Sequence, residues 1–475
     1  MNIVLINVPY LEVYGKLNVG KNSSFPLGLG YIAAVLRQAG YNVNLLDPEP
    51  QGMDLINIRA YLLQKRPDMV GLSCATANFK NALAIGAIVK EAIGVTVVLG
   101  GVHASALPRE ILSNFSQFDF LVIGEGEETI VGLAAFLESG YGSLDDIRGI
   151  AYRKDKMIKL TAPRPFMSIE KLAELPFPAR DLVDISLYRP QAHLDRGKPA
   201  ASMITSRGCP ARCTFCASYL TTGYAFRWRS PESVVREIED LVYNYRIEHI
   251  IFVDDTFTFL EDRAKKICQL ILEKGLEIDW YCFARADKVS EELLLAMKQA
   301  GCFSLLFGVE SGDEDILRNI KKGITPQQSK QALDTANRMG FKTLAGFMFG
   351  NPGETPETAK KTLDFAVELN PTIASFNILV PYPGTEVFKT HYRERFKDPA
   401  TWDSFLPRAV EPVAETEALT NKDLTRWASW AFIRFYALRP WHVLGMLRKI
   451  KTWGEIKSYL RGAWGLTQRI WEWRK

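Results

Sequence analysis

Two runs of short apolar segments, each alternating with helical segments, govern what this chain can fold into. In the first run "IVLINV" (Ile3 to Val8) precedes "PLGLGYIAAVLRQAG", whose apolar residues recur at helical spacing and stop at Gly40. "YNVNLLD", "DMVGLS", "VTVVLGG" and "FDFLVIGEGE" continue the strands, with "DLINIRAYLLQK" and "NFKNALAIGAIVKEA" as helices between them. Strands joined through helices run parallel, so these five predict a doubly wound, flavodoxin-like parallel sheet of the α/β class. Ligands of such sheets lie at the C-terminal strand ends. Here those ends read "NVPY", "LSCAT", "LGGVHAS" and "IGEGEET".

The second run has wider spacing. "ASMITS", "HIIFVDD", "IDWYCFAR", "FSLLFGVES", "KTLAGFMFG" and "IASFNILVPY" read as strands, separated by helices such as "SPESVVREIEDLVYNY" and "SEELLLAMKQAG". Six strand–helix units predict a partial (β/α)6 barrel, with its chemistry again at the C-terminal strand ends. The chain therefore divides into a sheet domain at 1–144, a proline- and charge-rich linker at 145–199, a barrel at 200–399 and a helical region at 400–475. At 475 residues it is long enough for about three domains of ~150 residues each.

Seven cysteines, Cys74, Cys209, Cys213, Cys216, Cys268, Cys282 and Cys302, make an odd set. The opening "MNIVLINVPY" reads as a strand, not as a secretory signal. A reducing, cytoplasmic compartment without a disulfide framework is expected. The net charge of +4 is too small to imply a nucleic-acid partner. No run of eighteen uncharged apolar residues predicts a membrane span.

Three of those cysteines lie in "SRGCPARCTFCAS", directly after the first barrel strand. Thiolates select soft metals and iron–sulfur clusters, and three without a close fourth leave one coordination position open for a ligand. "CPARCTFC", with Phe215 as its aromatic, resembles the cysteine loop of the radical S-adenosylmethionine (radical SAM) superfamily. The resemblance implies that Cys209, Cys213 and Cys216 hold a [4Fe–4S] cluster whose fourth iron chelates SAM, and that reduction yields a 5′-deoxyadenosyl radical. It also implies roles at later strand ends. Asp254 and Asp255 in "FVDDTFT" would receive the SAM amine, Arg285 in "FARAD" its carboxylate, and Glu310 in "FGVESGDE" would lie near the ribose. Gly346, Gly350 and Gly353 in "GFMFGNPGET" would let backbone approach the adenine. Cys268, Cys282 and Cys302 sit in apolar patterns and read as core.

The front domain has only Cys74, too few thiols for the second cluster of the methylthiotransferases. "VVLGGVHAS" instead resembles the Gly-Gly segment of cobalamin (B12) domains, and "VGLSCAT" keeps Ser73 of their Ser-x-Leu. The resemblance implies cofactor contacts from Ser73, Thr76, Gly100, Gly101, His103 and Ser105, and from Glu125 in "GEGEET". The Asp-x-His-x-x-Gly that supplies a lower cobalt ligand elsewhere is missing, so water or an apolar neighbour such as Tyr10 or Leu11 is expected beneath the cobalt. His103 is read as a hydrogen-bonding group for the corrin or its tail ahead of a cobalt ligand.

The region from Arg426 to Lys475 carries seven of the ten tryptophans and eleven Lys or Arg against two Glu. Two readings stand. The aromatics cap the barrel as core, or a basic amphipathic helix makes peripheral membrane contact. Together these features imply a B12-dependent radical SAM methyltransferase that methylates an unactivated carbon of a hydrophobic, lipid- or tetrapyrrole-like substrate by way of methylcobalamin. A reductant such as flavodoxin or ferredoxin would supply the electron. A cyclase or rearranging enzyme with the same cofactors, and a non-catalytic B12 or redox sensor, are the alternatives.

Overall fold

The computed structural model describes residues 1–10, 24–191, 193–396, 398–405 and 413–448. The front sheet contains β1 (Asn2–Asn7), β2 (Asn42–Leu46), β3 (Met69–Ser73), β4 (Thr96–Gly100), β5 (Phe120–Val122), β6 (Ile150–Lys154) and β7 (Met157–Leu160), in the order β2-β1-β3-β4-β5-β6-β7. β1 to β5 are parallel. Ile3, Val4, Leu5 and Ile6 are all buried, as expected for a strand covered by helices on both faces. β6 and β7 come from the connector and extend this sheet antiparallel. Their sequence, "IAYRKDKMIKL", puts Lys154 and Lys159 on one face and Arg153 on the other and makes a solvated edge, the kind of strand that carries little apolar signal.

The barrel follows the expected rhythm. β8 (Ala200–Met203), β11 (His249–Phe252), β12 (Asp279–Ala284), β13 (Cys302–Glu310), β14 (Lys342–Phe349) and β15 (Ile373–Ile378) form a parallel six-stranded sheet in the order β15-β14-β13-β12-β11-β8. A two-stranded antiparallel pair, β9 (Ser206–Arg207) with β10 (Arg227–Trp228), flanks the cysteine loop. The barrel helices start where the sequence provides caps. Ser230 accepts from the Ser233 N–H with Pro231 next to it, and Thr325 and Thr355 form capping boxes. Trp280, fully buried, packs its ring 5.1 Å from Phe252 and 5.4 Å from Phe257 in the core. Cys268, Cys282 and Cys302 are core residues, as read from sequence.

The described C-terminal part serves the barrel. The helix Asn421–Phe432 buries Leu424, Ala428 and Ala431 against it. Tyr436 Oη donates to Ala374 O (2.9 Å) and accepts from its N–H (2.9 Å), closing the free edge of β15. Trp441, in contrast, is 83% exposed, beside exposed Leu438 and Leu444. The segment Pro399–Ser404 crosses to the front domain, where buried Trp402 packs on Phe79 (5.6 Å), His103 (5.0 Å) and Phe115 (6.1 Å). The basic residues from Lys449 to Lys475, and Leu11, lie outside the described residues.

Candidate active site

The cysteine loop leaves β9 at Gly208, whose φ is +86° and whose missing side chain lets Ala225 O approach. A Cβ there would sit 2.2 Å from that oxygen, so only glycine fits. The loop is pinned at Cys209 N–H to Gly223 O (3.3 Å), at Thr214 N–H to Ile320 O (3.0 Å) and at Thr214 O by Val387 N–H (2.9 Å). Cys209, Cys213 and Cys216 are free thiols of intermediate exposure. Burial pushes Cys209 and Cys213 up from the usual thiol range. Lys322 and Arg285 pull Cys213 the other way, Arg285 also acts on Cys209, and Cys216 is felt by both. The ends of four strands thus surround one mouth.

Of the two acids after β11, one supports the loop and one faces it. Asp254 is fully buried, and its Oδ1 accepts from the Thr205 N–H (3.0 Å), Thr205 Oγ1 (2.7 Å) and Ser206 Oγ (2.5 Å). Asp255 is exposed to water yet hemmed in by protein, as a group lining a wide concavity would be, and its carboxyl is raised by that enclosure and then by Asp254. Arg285 pairs with Asp287 (2.9 Å) and donates to Lys322 O (3.2 Å). Glu310 stands at a β-bulge with φ +69°, and its Oε1 accepts from Lys322 Nζ at 2.7 Å. The bulge re-aims this side chain into the mouth. Gly308 leaves room for the pair, since a Cβ there would meet Glu310 Oε1 at 2.6 Å and Lys322 Nζ at 2.8 Å. Phe215 packs beneath, 5.9 Å from Lys322 Nζ. Gly350 departs from the sequence reading: a Cβ there would meet Leu424 and Ala414, so it admits the C-terminal helix. Gly346 is the glycine that leaves space above the sheet, with Phe307 O at 3.9 Å as its nearest neighbour.

On the front domain, the expected residues gather at the ends of β3, β4 and β5. Gly101, at φ +96°, is required by packing, because a Cβ would meet Cys74 O at 2.4 Å. At Gly100 nothing lies closer than Leu72 O at 3.9 Å. Thr76 Oγ1 meets His103 Nδ1 at 3.0 Å. Ser105 Oγ donates to Gly101 O (3.0 Å) and accepts from the Gly124 N–H (3.0 Å). Ser73, half-exposed, has no side-chain hydrogen bond among the described residues. His103 is fully buried between Phe79 and Trp402, and burial lowers its imidazole to about 3. Glu125 is engaged elsewhere: its carboxylate pairs with Arg207 (3.1 Å) and Arg227 (2.9 Å) and accepts from the Met167 N–H (2.7 Å). The two sets of loops meet, for the short helix Tyr219–Thr222 after the cysteines packs on the helix Val102–Ala106 after β4.

Comparison with known proteins agrees with this layout. Residues 203–366 match the model of the radical SAM superfamily, and residues 17–134 match the B12 binding domain. An uncharacterized methyltransferase of Pyrococcus horikoshii is 34% identical over 92% of this chain and 93% of its own. The chain belongs to the cobalamin-dependent radical SAM enzymes. A cytidylyl-2-hydroxyethylphosphonate methyltransferase of Streptomyces wedmorensis is 29% identical, covering 79% of each chain. An anaerobic magnesium-protoporphyrin IX monomethyl ester cyclase of Rubrivivax gelatinosus is 26% identical over 86% of this chain and 73% of its own. Among solved structures, the cobalamin-dependent S-adenosylmethionine radical enzyme OxsB shares the fold, with a TM-score of 0.72 at 21% identity over 98% of this chain and 71% of that one.

The two domains of this radical SAM enzyme are those that serve a [4Fe–4S] cluster with SAM, and cobalamin. Its residues fit these groups. Three free thiols lie on one loop with buried Lys322 and half-buried Arg285 acting on them, a donor set that suits a negatively charged iron–sulfur cluster. Asp255, Arg285 and Glu310 bring two carboxylates and a guanidinium to the ends of β11, β12 and β13, beside the thiols. In the front domain, the open space at Gly100 and the unpartnered, buried Nε2 of His103 fit a cofactor's polar edge. When bound, these groups supply one-electron cleavage of SAM and a transferable methyl group. The protein's part would be to hold the charged ends of SAM beside the front domain.

Sequence reading missed Lys322, Arg207 and Arg227. Lys322 is buried; burial lowers its ammonium, but Glu310 and the Cys213 thiolate outweigh this and raise it. "KKG" resembles any solvated pair, and only the fold turns its second lysine inward. The one available signal for Arg207 was its place before the glycine that opens the loop.

Proposed function

We propose that this enzyme transfers a methyl group to an unactivated carbon of a hydrophobic substrate. In this reading Cys209, Cys213 and Cys216 hold the cluster, and Asp255, Arg285 and Glu310 grip SAM. Ser73, Gly100 and His103 meet the corrin. The observation that carries the reading is the packing of Tyr219–Thr222 on Val102–Ala106, which sets the cysteine loop beside the strand ends of the front domain. Two cofactors whose sites adjoin can serve one substrate carbon from one cavity. A hydrophobic substrate is supported by the exposed Leu438, Trp441 and Leu444 and by similarity to a tetrapyrrole cyclase. A single-electron carrier, flavodoxin or ferredoxin, is the reductant in this scheme.

The test is anaerobic reconstitution with iron, sulfide and hydroxocobalamin, followed by incubation with methyl-deuterated SAM and lipid or tetrapyrrole extracts. A product heavier by one deuterated methyl group supports the proposal. Labelled product only when polar nucleotide phosphonates are supplied in place of those extracts would overturn the hydrophobic substrate. Ring closure is the second reading, favoured by the similarity to the cyclase, and a product lighter by hydrogen without label would establish it in place of methylation.

A further inference from the structure

One carboxylate reaches from the front domain to both ends of the cysteine loop. Glu125 sits between Gly124 and Gly126, directly after β5. Its Oε1 accepts from Arg207 Nη1 at 3.1 Å and from Arg227 Nη1 at 2.9 Å, and its Oε2 from Arg227 Nη1 at 3.0 Å and the Met167 N–H at 2.7 Å. Arg207 Nη2 continues to Glu127 Oε1 at 2.6 Å. Arg227 Nη1 also donates to Met167 O (2.8 Å), and its Nη2 donates to Thr222 O. All four charged residues are buried.

The location gives the arrangement its meaning. Arg207 stands two residues before Cys209, on the far side of the glycine that only glycine can replace. Thr222 ends the helix that packs on Val102–Ala106, and Gly124 is held by Ser105 of that second helix. Entry and exit of the cysteine loop are thus tied to one side chain of the front domain. As a source of stability this is poor design, because desolvating paired charges cancels most of their attraction and apolar residues of equal volume do as well. As a source of geometry it is effective, since planar guanidinium groups accept few orientations about a carboxylate.

We propose that Glu125, Arg207 and Arg227 are positioning residues that fix the separation and orientation of the cluster loop relative to the corrin face. This rests on the functional reading above, in which both cofactors act on one carbon. Glu125→Asp shortens the arm by one methylene and retains its charge, and Arg227→Lys retains charge but loses the planar fork. In wild-type enzyme loaded with iron, sulfide and hydroxocobalamin, then reduced, the magnetic coupling between cluster and Co(II) is measured by electron paramagnetic resonance. Both variants are expected to hold native amounts of iron and corrin but to show weakened or broadened coupling. SAM cleavage without substrate should stay within about threefold of wild type (about 0.7 kcal/mol). In the cofactor-free protein, amide hydrogen exchange across residues 207–223 should be at least tenfold faster in the variants. Native coupling together with native exchange would overturn the proposal. If wild type retains no corrin, the functional reading fails, and exchange in the cofactor-free protein alone decides whether the bracket holds the loop.

Discussion

The barrel mouth and the strand ends of the front domain are both built at the C-terminal edge of a parallel sheet, yet they use polar groups in opposite ways. In the mouth, Asp255, Arg285, Glu310 and Lys322 are charged, and each acts on the thiols or on another member of the group. At the front sheet, Thr76, His103 and Ser105 are neutral and bonded to one another or to backbone, and the acid Glu125 is turned away into ion pairs. On the proposed reading the difference is one of recognition. A small ligand with an amine and a carboxylate would be gripped by point charges, and a broad macrocycle would be received by shape, through glycine and closely packed backbone.

The hardest blow to that contrast is Cys213→Ala. It should reduce SAM cleavage to background while hydroxocobalamin still binds with wild-type spectral features; loss of corrin as well would show that the two regions are one site. Lys322→Met comes next. Leaving Glu310 without its buried partner should cost about 3 kcal/mol of stability, read from denaturant unfolding, and should make the cluster harder to reduce in a potentiometric titration. An unchanged potential would remove Lys322 from the charged set.

A third prediction concerns the neutral region. The folded-state pKa of His103 is about 3 against 6.5 for the free side chain, so the unfolded chain binds the proton more readily. The neutral imidazole therefore stabilises fully above pH 6.5, and this contribution is lost as pH falls below it. Comparing cofactor-free wild type with His103→Phe, the wild type should lose about 2 kcal/mol relative to the variant between pH 8 and pH 5. A pH-independent difference would mean that the imidazole takes up its proton in the folded protein as readily as in the unfolded chain. The smallest effect is expected from Gly100→Val, where weaker corrin binding by about tenfold, or ~1.4 kcal/mol, should leave iron content unchanged.

What could be read in advance follows the same division. The parallel strands of both sheets announce themselves by apolar runs, and the cysteine loop by its spacing and its resemblance to the radical SAM loop. Asp255, Arg285 and Glu310 are read from the resemblance to the radical SAM superfamily and from their order at successive strand ends. The two connector strands escape notice because their charges, Arg153 on one face and Lys154 and Lys159 on the other, break the alternation that marks a half-buried strand. Gly350 was assigned to a ligand because sequence cannot tell which neighbour a glycine admits, and here it admits Leu424. Arg207 and Arg227 were invisible for a related reason. Arginine is ordinary on a surface, and only folding against a second domain buries it.

The contact of Trp402 with the front domain has a consequence for how the protein is made. Phe79, His103 and Phe115 leave the ribosome long before the residue that covers them. With about 300 residues between His103 and Trp402, and synthesis at ~5–20 residues per second, that aromatic surface waits roughly 15–60 s for its cover. During that interval the nascent first domain exposes a sticky patch, so this chain is one that chaperones should meet early, and one whose first half should aggregate when produced alone.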